Sequence, residues 1–198
     1  MAEKYQNLLK KNLFKHRELY ARLVFLRQVK PEAFYSAGVI RNLIWSIAHD
    51  QHYALSQTEI DVIFYDAEDE SGFEQRHLAE ILKQKFPEND WDVVNQAWVH
   101  QWYTTEDGAS IPPLQSIQHA LSLWPETETE TETETATATA VAVRLLENNT
   151  LEIIAPFGLD DLFELKLRWN AALVSHDVFM QRMEEKQFLQ KWNKLSLL

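Results

Sequence analysis

The 198-residue chain contains 45% hydrophobic and 25% charged residues and has a formal net charge of −11 at pH 7. It has no cysteine, which excludes disulfide bonds, thiolate zinc sites and a cysteine nucleophile, and its acidity argues against a broad nucleic-acid-binding surface. It shows neither an apolar run of membrane-spanning length nor the pattern of a signal peptide, so we expect a single cytoplasmic domain over residues 1–198 without a membrane partner.

Residues 1–30 are predicted to form an N-terminal helical segment of one or two helices. Leucine and tyrosine side chains recur there at helical spacing, and Pro31 disfavours helix at the residue before it. The segment is rich in Lys and Arg, with only Glu3 and Glu18 as acidic residues. We expect its basic side chains to form the solvent-facing surface of the helices.

The middle of the chain alternates between predicted helices and strands. One helix is expected from Val39 to Ala48, directly after Gly38, and another over residues 73–86. Two segments dense in β-branched and aromatic residues, 60–65 and 90–95, are predicted strands. The alternation predicts an α/β fold with a mixed sheet flanked by helices.

A low-complexity repeat of Thr, Glu and Ala occupies residues 126–140, after a predicted helix over 116–123. Like charges along one side would oppose strand pairing, so we expect an insertion that lengthens a solvated loop. Residues 141–145 and 151–154 then flank a turn at 147–149, which predicts a hairpin.

The C-terminal part is predicted to be a helical extension. A last helix is expected from Val178 to Trp192. Earlier in this part, Asp161 and Glu164 have the spacing of a capping box, and we expect Asp161 to cap a helix that runs through Leu165.

Three acidic residues lie on the two predicted strands. Glu59 and Asp61 are two residues apart at the start of a predicted strand, so their side chains point to the same side of that strand. Such a pair of carboxylates is a candidate binding site for Mg²⁺. The alternative is a polar strand start that faces water. Asp92 lies between Trp91 and Val93 in a segment predicted to be a central strand, where a buried carboxylate requires a cation or hydrogen-bond donors. The alternative is an edge strand on which Asp92 faces solvent.

The turn at Ala37–Gly38 is a candidate phosphate site. The amide groups of Gly38 and Val39, together with the helix dipole, can hold an anion, and Arg41 in the first turn can reach the same anion. Asn42 either joins this contact or supports a loop. Asn95 is a candidate contact to a base or ribose, with core hydrogen bonding as an equal alternative.

Three features follow one another along the chain: a turn of small residues before a helix, a strand with the pattern E-x-D, and a single acidic residue on a later strand. This order is typical of the nucleotidyltransferase superfold. Over about residues 34–195 the sequence resembles a bacterial nucleotidyltransferase-like family that was formerly described as a domain of unknown function. The most specific piece is the A-P-F-G-L-D-D-L-F run. The segments that carry the resemblance are 37–42, 59–66, 95–100, 124–127 and 155–163, together with the closing Lys-rich helix that ends at Trp192.

The resemblance implies a triad of Glu59, Asp61 and Asp92 that binds Mg²⁺ or Mn²⁺ and a nucleoside triphosphate. It implies transfer of the nucleoside monophosphate to an unknown acceptor, with Asp92 also able to take the acceptor's proton. Val39 and Val94 depart from the pattern, where a small and a basic residue are expected. They favour the alternative of a non-catalytic relative that binds nucleotide or a protein partner.

Overall fold

A computed structural model describes residues 2–105, 107–123, 137–185 and 187–198. The α-helices of this part of the chain are α1 (Ala2–Lys15), α2 (Arg17–Val29), α3 (Gly38–Ala48), α4 (Phe73–Lys85), α5 (Ile117–Leu123), α6 (Asp160–Phe163), α7 (His176–Glu185) and α8 (Phe188–Lys191). The strands are β1 (Phe34–Ser36), β2 (Ile60–Phe64), β3 (Trp91–Asn95), β4 (Ala142–Leu145), β5 (Leu151–Ile154), β6 (Lys166–Leu167) and β7 (Ser196–Leu197). None of the helices in these ranges combines the length and apolarity needed to cross a bilayer.

Five strands form a mixed sheet in the order β3-β2-β1-β4-β5. The central strand β1 is antiparallel to both β2 and β4, whereas β2 and β3 run parallel. The predicted α/β fold with a mixed sheet is therefore confirmed. The sequence did not indicate β1, because its three residues are all buried and show no alternation of apolar and polar side chains.

The two faces of the sheet pack against different parts of the chain. On one face, Tyr35, Val62 and Val143 belong to the main core, which also contains the buried leucines of α1 and α2 and the large buried apolar side chains of α3. On the other face, Phe34, Ile63 and Ala142 pack with Ile117 and Leu121 of α5. The sheet is thus covered on both sides.

The expectation that the basic N-terminal residues face solvent is wrong for Arg22, which is only 3% exposed. Its Nε and Nη2 donate to Asn89 Oδ1 at 3.0 and 2.6 Å, and Nη2 also donates to Glu88 Oε1 at 2.6 Å. Asn89 Nδ2 donates in turn to the carbonyls of Leu55 and Thr58, at 2.6 and 2.9 Å. This Arg22–Asn89 cluster ties α2 to the segments that lead into β2 and β3.

Residues 137–154 confirm one prediction and correct another. The predicted hairpin is confirmed, since β4 pairs with β5 and Asn149 in the turn has a left-handed φ of 61°. Residues 126–136 of the repeat lie outside the described residues. Its last residues, Ala138 to Ala140, are buried, so the expectation of a solvated loop is wrong for them. Small alanine side chains fit the closely packed interior there.

The C-terminal helical extension is present, but the single helix predicted from Val178 to Trp192 is wrong. The chain forms α7 and α8 instead, and Gln187 between them has a φ of 51°, which no α-helix accommodates. The capping role of Asp161 is also wrong. Helix α6 begins one residue earlier, and Asp161 Oδ2 accepts a hydrogen bond from Arg168 Nε at 2.9 Å. Glu164 lies at the C-terminal end of α6.

We expect Asn89→Ala to lower the free energy of unfolding by about 3 kcal/mol, because it removes hydrogen-bond partners of a buried guanidinium and of two main-chain carbonyls, one of them buried. Chemical denaturation monitored by circular dichroism measures this change. The matched control is Glu88→Gln, whose side chain is 45% exposed and which should cost less than about 1 kcal/mol. Equal losses in the two variants would contradict a structural role for the Arg22–Asn89 cluster.

Candidate functional site

The strand register places two aspartates side by side. Asp61 of β2 and Asp92 of β3 are direct partners in the parallel pair, and Ser36 of β1 is the antiparallel partner of Asp61. Neighbouring strands lie about 4.8 Å apart, and residues in register point to the same face of a sheet. Ser36, Asp61 and Asp92 therefore form a row across three strands, which we call the Ser36–Asp61–Asp92 row. The Ser36 hydroxyl donates to the carbonyl of Asp61 at 3.4 Å.

The predicted central position of β3 is wrong, since β3 is an edge strand of the five-stranded sheet, but Asp92 is nevertheless partly buried. Burial raises the pKa of Asp92 above its ordinary value, because the charged form is poorly solvated. A carboxylate in this environment is stabilised by a cation. Two adjacent carboxylates supply the hard oxygen ligands that Mg²⁺ and Mn²⁺ prefer, so this pair fits a divalent metal ion.

Glu59 directly precedes β2 and is partly buried. In the part of the chain that the structure describes, no group of three or more His, Cys, Asp or Glu side chains is arranged to hold a metal ion. The structure thus brings Asp61 and Asp92 together as a pair. The membership of Glu59 in a metal-binding triad stays a prediction.

Helix α3 begins two residues after Ser36, at Gly38, so its N-terminal turn adjoins the Ser36–Asp61–Asp92 row. The carbonyl of Ala37 accepts the amides of Ile40 and Arg41 at 3.1 and 3.0 Å, and the amide of Ala37 donates to the carbonyl of Val141 at 3.1 Å. The amides of the first helical turn have no intrahelical acceptor and carry the positive end of the helix dipole. Gly38 and Val39 lie in this turn, where the sequence predicted an anion contact.

Arg41 is 3% exposed, and its guanidinium lies over two aromatic rings. The carbon at its centre is 4.6 Å from the ring centroid of Phe188 and 5.3 Å from that of Trp45. Its Nε and Nη2 also donate to Asn42 Oδ1 at 3.2 and 3.0 Å. These contacts hold the cation against α8 and explain how a buried arginine is stabilised. A contact of Arg41 or Asn42 with phosphate stays a prediction.

Asn95 lies three residues after Asp92 on β3, so it points to the opposite face of the sheet. Its Oδ1 accepts the amides of Asp66 and Ala97 at 3.0 and 3.2 Å, and its Nδ2 donates to the carbonyl of Asp66 at 2.8 Å. Asn95 therefore joins the ends of β2 and β3 that are remote from the aspartates. Its predicted contact to a base or ribose is not tested by this arrangement.

The sequence missed two residues at this end of the sheet. Ser36 completes the row, but it is recognised only when β1 is known to pair with β2. Tyr53 is 9% exposed. Burial raises the pKa of Tyr53 to about 12, and the charges of Arg41 and Asp61 also act on its hydroxyl. Tyr53 therefore stays protonated at neutral pH.

The mixed sheet has a helix that starts beside its central strand and two adjacent aspartates, which is the architecture of a nucleotidyltransferase-like fold. A family model described as nucleotidyltransferase matches residues 28–197, and the chain belongs to this nucleotidyltransferase family. The chain is also similar to a protein whose NMR structure is described as revealing a CCA-adding enzyme head domain. The two share 27% sequence identity at a TM-score of 0.74, over 96% of this chain and 94% of that one. A search of curated protein sequences gave no match.

Ala37 has a φ of 49° and a ψ of −118°, a backbone conformation that strongly favours glycine. We expect Ala37→Gly to change the free energy of unfolding by less than about 1 kcal/mol, because relief of backbone strain offsets the loss of a buried methyl group. Ala37→Val should cost at least about 2 kcal/mol, since it adds a branched side chain to the same strained, buried position. Thermal unfolding of the two variants measures both changes in stability. A valine variant as stable as the glycine variant would contradict the strain assigned to Ala37.

Asp92→Asn should stabilise the metal-free protein at neutral pH. Because the folded pKa of Asp92 is raised, its ionised form costs stability above that pKa, and the cost is absent below the unfolded pKa of about 4. The difference in melting temperature between variant and wild type should therefore be positive at pH 7 and fall towards zero as the pH drops below about 4. A melting temperature at pH 7 that is lower in the variant would show that the carboxylate is well satisfied without a cation.

Proposed function

We propose that this protein transfers a nucleoside monophosphate from a nucleoside triphosphate to an acceptor, with a divalent cation bound at Asp61 and Asp92. The observation that carries the proposal is the parallel register of β2 and β3, which sets these two carboxylates next to each other beside the N-terminus of α3. Membership of the nucleotidyltransferase family supports it.

Each element of the site has a role in this reaction. Asp61 and Asp92, joined by Glu59, would hold Mg²⁺ or Mn²⁺, which would neutralise charge on the triphosphate. The amides of Gly38 and Val39 would contact phosphate oxygens at the α3 N-terminus. The acceptor oxygen forms a bond to the α-phosphorus, the bond to the β-phosphate oxygen breaks, and pyrophosphate leaves. The proton of the acceptor hydroxyl passes to Asp92.

The burial of Val39 supports the catalytic proposal over its alternative. Its side chain is fully buried in the main core, so it is directed into the interior of the protein. Val94 favours the second candidate, a non-catalytic nucleotide-binding relative. It packs against an apolar cluster that contains Val99 and Tyr103, at a position where a basic phosphate contact was expected.

Thermal unfolding with Mg²⁺ and each nucleoside triphosphate in turn tests the proposal. A ligand at a hundredfold its dissociation constant should add about 2.7 kcal/mol of stability to the wild type. Asp61→Asn should lose this gain. The matched control is Asp50→Asn, whose side chain is 94% exposed and which should keep it.

Three results would count against the proposal. Absence of a metal-dependent gain in the wild type rejects nucleotide binding at the aspartates, and so does an undiminished gain in Asp61→Asn. A metal-dependent gain without release of pyrophosphate, for any acceptor supplied, favours the non-catalytic relative.

A further inference from the structure

The C-terminal segment, residues 188–198, packs along one side of α3. The ring of Phe188 lies 5.8 Å from that of Trp45, centroid to centroid. The ring of Trp192 lies 6.0 Å from that of Trp45 and 5.4 Å from that of His49. Trp45 and His49 are four residues apart, which places them on the same side of the helix. The segment therefore follows α3 to its C-terminal end.

His49 closes this contact with two hydrogen bonds. Its Nε2 accepts the main-chain amide of Lys194 at 3.0 Å, and its Nδ1 lies 2.8 Å from the carbonyl oxygen of Trp45. Because the amide can only donate and the carbonyl can only accept, the neutral ring carries its proton on Nδ1 and its lone pair on Nε2. A protonated ring carries a proton on both nitrogens. The His49–Lys194 hydrogen bond therefore requires a neutral His49.

Few other contacts hold residues 193–198 in place. Leu195 is half-buried, and the other residues of this stretch are exposed. Strand β7 pairs with β6 over two residues, with main-chain hydrogen bonds of 2.9 Å. Segments with few buried contacts and exposed hydrogen bonds open at a low cost in free energy. The loss of one hydrogen bond therefore changes the population of the open segment substantially.

The side chain of Lys194 lies at the same end of α3. Its Nζ donates to the carbonyl of Ala48 at 2.6 Å and is 3.6 Å from Oδ2 of Asp50. The Asp50 side chain is 94% exposed, so water and salt screen its charge. Protonation of His49 thus removes the acceptor of the Lys194 amide and also places a second cation close to the Lys194 ammonium.

The other titratable groups around His49 do not offset this repulsion. Lys191 Nζ lies 5.2 Å from the ring centroid of Trp192, which contacts His49 on its other side. On the side of α3 that faces α1, Ile47 lines a cavity together with further titratable side chains, which are Lys15, His16, His52 and Tyr53. Each of these groups is neutral or cationic near neutral pH.

We propose that His49 is a pH-dependent latch that holds the C-terminal segment on α3. The neutral ring keeps the segment closed, and protonation between pH 8 and pH 5, where imidazoles change charge, releases residues 193–198. The protonated ring keeps its hydrogen bond to the Trp45 carbonyl, and the helix dipole stabilises a cation at this end of α3. The acidic state is thus an open segment with His49 still on the helix. The latch acts on the helix whose N-terminal turn adjoins the Ser36–Asp61–Asp92 row.

Amide hydrogen exchange of the full chain, measured by NMR at pH 8 and pH 5 and expressed as protection factors, tests the latch. Protection of the Lys194 amide should fall about tenfold on acidification, which is the value of one hydrogen bond. In His49→Gln the side chain stays neutral, so protection of this amide should not change between the two pH values. The matched control is His77→Gln, an exposed histidine on α4, which should keep the tenfold change.

Two further measurements separate the hydrogen bond from other causes. Nitrogen NMR of the His49 ring at pH 8 should show the proton on Nδ1. Lys194→Gln removes the ammonium but keeps the main-chain amide, so the change in protection should persist in this variant.

Four results would overturn the latch. They are a proton on Nε2 of His49 at pH 8, a pH-independent protection factor for Lys194 in the wild type, an undiminished change in His49→Gln, and loss of the change in Lys194→Gln. The last result would assign the release to repulsion between the two side-chain cations. None of these measurements requires nucleotide or metal, so they are independent of the proposed function.

Discussion

The parallel register between β2 and β3 is the constraint on which the candidate site depends. A slip of one residue in this register would move every side chain of β3 to the other face of the sheet, and Asp92 would no longer lie beside Asp61. The register is held at both ends. At the start, the amide of Ile60 donates to the carbonyl of Asp90 at 2.9 Å, beside the Arg22–Asn89 cluster. At the far end, Asn95 binds both main-chain polar groups of Asp66.

Two features of the site cost stability, and both lie where function is proposed. Ala37 has a strained backbone between β1 and α3, and Asp92 carries a carboxylate whose ionisation is disfavoured by burial. Strain and buried charge persist only where the surrounding structure determines them strongly. Here the main core and the buried hydrogen bonds of Arg22 and Asn89 supply that support. A site of this kind gains stability when a cation and an anion bind, because each satisfies a group that is otherwise poorly solvated.

The sequence indicated the elements whose burial follows a simple pattern. Strands β2 and β3 are rich in β-branched and aromatic residues, and the β4–β5 hairpin has a turn-forming Asn149, so local composition was sufficient. Strand β1 is too short to show a periodic pattern of apolar and polar residues. Its position as the central strand is set by pairing with β2 and β4, which lie far along the chain. The break at Gln187 has no glycine or proline to mark it.

The candidate site was predictable only in part. The acidic residues were recognisable from their spacing, but the burial of Arg22 depends on Asn89, which is 67 residues away. Charge patterning suggested that basic residues of the N-terminal helices face solvent, because a surface lysine and a buried arginine look alike without their partners.

The most direct test of the central claim is paramagnetic line broadening of amide resonances by Mn²⁺ bound together with a non-hydrolysable nucleoside triphosphate. If Asp61 and Asp92 hold the metal, the strongest broadening should occur at residues 36–38, 61 and 92, with residues near Asn95 affected less. It should disappear when excess Mg²⁺ displaces Mn²⁺. Broadening centred on the glutamate-rich repeat or on other exposed acidic residues, with the Ser36–Asp61–Asp92 row unaffected, would contradict the assignment of the aspartates as the nucleotide site.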